Sequence, residues 1–242
     1  VGRPNAGKST LVNAFLGEDR MITGPEPGLT RDSIASDLQI GDHKIRLYDT
    51  AGLRRKAKID EVAEKLSASD SMRAIRFAEV VVMMIDAERA FEQQDLIIAE
   101  RVAKEGRALV IAINKWDLVE DKQQFLKDVR ELMKRKLSQL PKVSLVPISA
   151  LAERGLEKLT KAIFVTYSNW NKRVGTPALN RWLQSATQRH APPAVGGRRL
   201  KLRFVTQPSV RPPTFVVFCS RPEDLPKSYI RYLSNDLRDA FD

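Results

Sequence analysis

GRPNAGKST occupies residues 2–10, and the fold turns on how it is read. The stretch fits the pattern G-x-x-x-x-G-K-S/T, with Gly2 and Gly7 as the glycines, Lys8 as the lysine and Ser9 as the hydroxyl. Such a loop turns its backbone N–H groups inward around a polyphosphate, while the lysine reaches the outer phosphates and the hydroxyl ligates Mg2+. Asn5, Ala6, Gly7, Lys8, Ser9 and Thr10 are therefore the predicted phosphate-contacting run. The following TLVNAFLG sets Leu11, Val12, Phe15 and Leu16 at helical spacing. The loop is thus expected at a helix N-terminus, where the dipole favours anions. Taken alone, the pattern also fits a Gly/Pro turn ahead of an ordinary helix. A phosphate loop should itself follow a strand, and only Val1 precedes this one, so the natural chain is expected to continue upstream.

Beyond the loop, strand and helix signals alternate. SDLQIGDHKIRLYD reads as two strands around Gly41-Asp42, a hairpin rather than a crossover. VVVMMID, ALVIAIN and VSLVPIS are short apolar runs of the kind buried on both faces of a parallel sheet. Helical periodicity covers 92–104, 123–140 and 156–167. The expected fold is α/β: a mostly parallel sheet with helices on both faces and ligand-binding loops at the strand C-termini.

Composition narrows the function classes. The chain has 242 residues, enough for one or two domains, and its 43% apolar and 29% charged residues are an ordinary globular mixture. The longest plainly apolar run, Val80 to Ile85, is far too short to cross a bilayer. No basic-then-apolar segment opens the chain, and its one cysteine, Cys219, excludes an internal disulfide and suits a reducing cytoplasm. The net charge of +11 points to an anionic partner. That charge is concentrated: residues 173–242 carry 12 Lys and Arg against 5 Asp and Glu. Together with the Pro and Gly punctuation that begins near Gly175, this predicts a boundary near residue 172, dividing a domain at 1–172 from a basic module at 173–242.

The remaining motifs fall at predicted strand ends. IRLYDTAG ends in Asp49, placed to hold the Mg2+ side as a Walker-B acid does, and Gly52 offers a backbone N–H near a terminal phosphate. Asp86 and Glu88 in VVMMIDAE form a rival acidic pair of the kind an ATPase would use. INKWD at 113–117 bears on the base: a carboxylate at Asp117 accepts hydrogen bonds from both the ring N–H and the exocyclic amine of guanine, whereas adenine presents a different edge. A mismatched base would leave buried polar groups unpaired, which makes such a match selective.

With these motifs in order the chain resembles the translation-factor-like GTPases from end to end. The resemblance implies that PGLTRD carries switch I with Thr30 closing over Mg2+, that DTAG begins switch II, and that Asn114 and Lys115 support the guanine site. It further implies that Ser149, Ala150 and Leu151 form the last base-contacting loop, with the Ala150 N–H meeting the base carbonyl. GRPNAGKS, TRD, DTAGLRRK and PPTFVVF narrow the likeness to the bacterial double-Era-like GTPases of the Der (EngA) family, specifically a second G domain followed by a KH-like domain, truncated at both ends. Membership would imply GTP hydrolysis in the service of large ribosomal subunit assembly, with ribosomal RNA and an upstream G domain of the same chain as partners. A P-loop ATPase or kinase, and a nucleotide-gated RNA-binding protein with negligible turnover, remain the alternatives.

Two local features shape the expected chemistry. Ras-like enzymes orient the attacking water with a glutamine just after DTAG; here the position is Leu53, which has no polar group. Related potassium-dependent GTPases use the asparagine equivalent to Asn5 to ligate a monovalent cation, so K+ is expected beside Mg2+. The expected catalytic set is Asn5, Lys8, Thr30 and Gly52; the metal set is Ser9, Thr30 and Asp49 for Mg2+ and Asn5 for K+. Arg54 to Lys58 places four cations in five residues beside the nucleotide, either a solvated face or a switchable phosphate-binding surface. In the tail, helix 178–189, strands 200–205 and 214–219 and helix 227–241 suit a KH-like order lacking the G-x-x-G clamp, with a last strand expected beyond the end. Arg198, Arg199, Lys201 and Arg203 are then expected to bind phosphates rather than read bases, or simply to keep a small domain in solution.

Overall fold

A computed structural model of the chain describes residues 1–15, 22–23, 35–40, 43–48, 74–138, 140, 142–195 and 197–241. Thr30, Asp49, Gly52, Leu53 and the run Arg54 to Lys58 lie outside the described residues. The chain divides into two compact units, Val1–Leu137 with Lys142–Thr166, and Ser138–Pro141 with Tyr167–Asp242.

The apolar runs of the first unit become its sheet. β4 (Val80–Asp86), β5 (Ala108–Asn114) and β6 (Ser144–Pro147) lie parallel in that order, with Asp86 beside Asn114 and Ile113 beside Pro147. All seven residues of β5 are buried, as a central strand covered on both faces must be. Each Val, Leu or Ile so buried contributes about 2 kcal/mol. Gly2 makes a parallel bridge to Met84, and the Met84 N–H donates to the Val1 carbonyl at 2.8 Å. A Cβ on Gly2 would strike the Met84 carbonyl. The phosphate-loop sequence therefore leaves the sheet at the edge where β4, β5 and β6 also end.

The helices pack on this sheet through the faces that the periodicity marked. α1 (Lys8–Phe15) buries Leu11 and Phe15 against Met84, Val110, Ala112 and Val146. α2 (Gln93–Lys104), α3 (Lys122–Lys136) and α4 (Leu156–Trp170) follow β4, β5 and β6 in turn. α3 stops four residues short of its expected end at 140. Leu137 leaves helical geometry at φ −122°, and Leu140, preceding Pro141, is biased away from it. α4 instead runs three residues past its expected end. The hairpin is present, with β2 (Ala35–Ile40) and β3 (His43–Tyr48) paired antiparallel from Ile40 beside His43. β1 (Ile22–Thr23) joins β2, so among the described residues these strands form an antiparallel sheet separate from the parallel one. Leu38, at 3% exposure, ties it to the core of α1 and β5.

The second unit is built helix, hairpin, helix. α5 (Thr176–Arg189) begins two residues earlier than its apolar pattern suggested, because Gly175 serves as N-cap and Pro177 fits the first turn. Between α5 and the larger hairpin lies a short one that the sequence pattern did not announce, β7 (Ala194–Val195) paired with β8 (Arg198–Arg199). β9 (Leu202–Ser209) and β10 (Thr214–Cys219) pair antiparallel, and α6 (Lys227–Phe241) closes the unit. β9 starts later than expected and extends through Pro208, which the free edge of a two-stranded sheet tolerates. Leu179, Trp182, Leu183, Ala186, Val205 and Leu233 form the core. Polar ties cross it: the Trp182 Nε1–H donates to Asp236 at 2.7 Å, and the Tyr232 hydroxyl donates to the Ala186 carbonyl at 2.8 Å. Gln207, 2% exposed, accepts from the Val174 N–H and donates to the Lys172 carbonyl. Among the described residues no helix is long and apolar enough to cross a membrane.

Candidate nucleotide site

The loop of residues 2–7 is held in an unusual backbone path. Asn5 adopts φ 61° and Gly7 φ 89°, the left-handed region that favours glycine and asparagine. A Cβ on Gly7 would run into the Asn114 carboxamide, so the loop approaches β5 as closely as a backbone can. The Lys8 ammonium folds back over the loop, donating to the Gly2 carbonyl at 3.0 Å and the Arg3 carbonyl at 2.7 Å. Ser9 is exposed in the first turn of α1, and Asn5 is exposed at the tip of the loop.

Asn114 joins the loops. Its side chain is 5% exposed; Nδ2 donates to the Ala6 carbonyl at 3.0 Å, and Oδ1 accepts from the Ala150 N–H at 2.9 Å. One carboxamide therefore links the phosphate loop, the end of β5 and the SAL loop, and each of its two bonds is buried. The Ala150 N–H, expected to face a base carbonyl, is engaged by Asn114 in this structure. The SAL loop is fixed independently by a bridge between Ser149 and Arg154, two N–H···O bonds of 3.0 Å each. Leu151 stands at its tip, 87% exposed.

Lys115 and Asp117 differ in setting. Lys115 sits at φ 60° and gives its ammonium to Asp86 at 2.5 Å and Glu88 at 3.2 Å. Those partners raise its pKa. The rival acidic pair is thus occupied: Asp86 also accepts from the Glu88 N–H at 3.0 Å and caps the short turn Ala87–Arg89. Asp117 is exposed, and its carboxyl is held below the ordinary value first by a hydrogen bond from Ser149, with Arg154 and Lys122 adding to the effect. An ionised, exposed carboxylate is an acceptor able to take two N–H donors at once.

Sequence reasoning missed the residues around Arg3. Its Nε lies 3.0 Å from Asp95 and its Nη1 2.6 Å from Glu92, while Nη2 donates to the Arg89 carbonyl. Asp95 is completely buried at the start of α2. Burial pushes its carboxyl up against the pull of Arg3. The available signal was the acid-rich opening of α2, EQQD, following a loop that carries an arginine.

Of the basic tail residues, Arg199, Lys201 and Arg203 are exposed, and Arg198 lies in β8. Among the described residues no group of three or more His, Cys, Asp or Glu is placed to hold a metal. Mg2+ does not need one, since it keeps waters and phosphates as most of its ligands. The exposed Ser9 hydroxyl and the Asn5 carboxamide are oxygen donors of the hard type that Mg2+ and K+ take.

Known proteins resemble this chain in sequence and in fold. A family model described as KH-domain-like of EngA bacterial GTPase enzymes, C-terminal, matches residues 173–242, and one described as 50S ribosome-binding GTPase matches residues 1–115. GTPase Der of Mesorhizobium japonicum is 55% identical over 242 residues, all of this chain and 50% of the relative. Over its whole length the chain is similar to GTPase Der. It spans about half the length of the Der relatives it matches. A variant of Aquifex aeolicus Era, solved bound to GDP·AlF4−, superposes with a TM-score of 0.52 at 22% identity, covering 99% of this chain and 84% of that one. Era solved with MgGDPNP and a segment of 16S ribosomal RNA gives the same TM-score, identity and coverage. These likenesses show a P-loop G-domain fold with a KH-like C-terminal part. The GTPase family implies a divalent metal at the site in general.

Proposed function

We propose that the chain binds GTP and GDP, hydrolyses GTP to GDP and phosphate, and acts as a nucleotide-controlled factor in assembly of the large ribosomal subunit. The observation that carries the reading is the Asn114 carboxamide, which holds the phosphate loop and the SAL loop to one strand end, next to an ionised Asp117. Asn5, Ala6, Gly7, Lys8, Ser9 and Thr10 bind the phosphates; Asn114, Lys115, Asp117, Ser149, Ala150 and Leu151 form the base site. Ser9 holds Mg2+ together with Thr30 and Asp49, and the metal neutralises charge on the phosphates. Gly52 contacts the terminal phosphate. Asn5 would hold K+, which would supply positive charge to the phosphates in place of an arginine finger, where Leu53 offers no polar group. Lys8 supplies positive charge to the outer phosphates. The division is residues 1–172 for nucleotide and 173–242 for the KH-like domain, whose Arg198, Arg199, Lys201 and Arg203 meet ribosomal RNA in the cytoplasm. The match of residues 1–115 to ribosome-binding GTPases supports the ribosomal part.

Nucleotide competition tests the reading. GTP and GDP should displace a bound fluorescent GDP while ATP does not, and phosphate release should be faster in KCl than in NaCl at equal ionic strength. Displacement by ATP as effective as by GTP would remove the guanine assignment, and equal turnover in the two salts would remove K+.

A further inference from the structure

The guanidinium of Arg3 is held at all three nitrogens by the segment that opens α2: Nε by Asp95, Nη1 by Glu92, and Nη2 by the Arg89 carbonyl. Asp95 is fully buried, and its second oxygen accepts the Glu92 N–H at 3.1 Å. The acid is therefore fixed by its own helix N-terminus before it meets Arg3. A surface ion pair contributes little, but a buried carboxylate facing a forked guanidinium sets geometry as well as charge. Arg3 is also the residue whose main-chain carbonyl receives the Lys8 ammonium at 2.7 Å. Fixing the Arg3 side chain fixes that carbonyl, the nearer of the two that hold Lys8, the other being that of Gly2.

We propose that Asp95 is a positioning residue for the phosphate end of the nucleotide site, acting through Arg3 on Lys8. The proposal rests on the nucleotide reading given above. Its consequence is selective. Lys8 reaches phosphates beyond the first, so loosening the tether weakens a ligand with a β-phosphate and spares one without it. The base contacts at Asp117 and Ser149 do not involve Arg3 or Asp95. A purely structural role for the pair would lower the affinity of both ligands together.

The test uses the 242-residue chain with Mg2+, with GDP and GMP as probes in competition against a fluorescent GDP, and a thermal melt for each variant. Asp95→Asn keeps the shape and removes the charge; Arg3→Lys keeps the charge and removes the fork. Either should raise the GDP Kd about tenfold while moving that of GMP by less than about twofold, as displacement of a phosphate-binding group by a fraction of an ångström does. Glu92→Gln, at a half-exposed partner, should give a smaller change in the same direction and carries the test if Asp95→Asn fails to fold. A parallel loss for GDP and GMP, or unchanged GDP affinity in folded variants, overturns the proposal. A wild-type chain that binds neither GDP nor GMP overturns the nucleotide reading itself.

Discussion

Asp117 shows what a single neighbour does to an exposed carboxylate. The Ser149 hydroxyl donates to its carboxyl and holds it ionised below the ordinary range, with Arg154 and Lys122 contributing charge. A depressed carboxyl pKa means that the ionised form, and any interaction that needs it, persists above the unperturbed value and is lost only as pH falls through the lowered one. The Asp117 share of GDP affinity should therefore stay constant above about pH 5, with its acid limb below the free aspartate value of about 3.9, separate from the titration of the GDP terminal phosphate at about pH 6. In Ser149→Ala that limb should move to higher pH, measured as the GDP Kd across a pH series in both proteins. The role proposed for Asp117 comes from the order of motifs along the chain. Its electrostatic setting was not legible there, because Ser149 and Arg154 reach it only when β5 and β6 lie side by side. The same reason hid Arg3 and Asp95, which are separated by about ninety residues of chain and belong to no shared period.

Elements with strong periods were readable where their ends obeyed local chemistry. β10 and α6 begin and end where the pattern puts them. α3 did not, since its apolar stripe continues toward Leu140 while the backbone must prepare for Pro141. At the other end of α3, Asp121 accepts from the Gln123 N–H at 3.1 Å and the Gln124 N–H at 2.9 Å, satisfying two donors that the helix leaves unpaired. Asp121→Ala should cost about 1 kcal/mol, read as a lower denaturant midpoint with an unchanged slope. Because α3 follows the NKWD segment directly, the same variant reports whether fraying of this helix reaches the base site: GDP affinity should fall with stability if it does. The short β7–β8 hairpin had no legible signature, as two-residue strands carry too few positions to show alternation.

Charge and tryptophan placement are properties of the whole chain. The excess of cations sits in the tail, +7 of the total +11, and Arg199, Lys201 and Arg203 are exposed there. Replacing these three with glutamine should weaken co-sedimentation with large ribosomal subunits and flatten its dependence on salt, by roughly one in log–log slope for each phosphate no longer neutralised. Binding with an unaltered salt slope would place the RNA-binding surface elsewhere. The tryptophans offer a different use. Trp170 and Trp182 are 7% and 8% exposed in the second unit. Trp116 precedes Asp117 and meets the Phe125 ring edge-on, with centroids 5.5 Å apart. The chain thus offers a native optical probe of the proposed base site: of three indoles, two are buried and one precedes Asp117. Adding unlabelled GDP should alter the emission of the wild-type chain and leave that of Trp116→Phe unchanged, so that nucleotide exchange can be followed in real time without a fluorescent analogue.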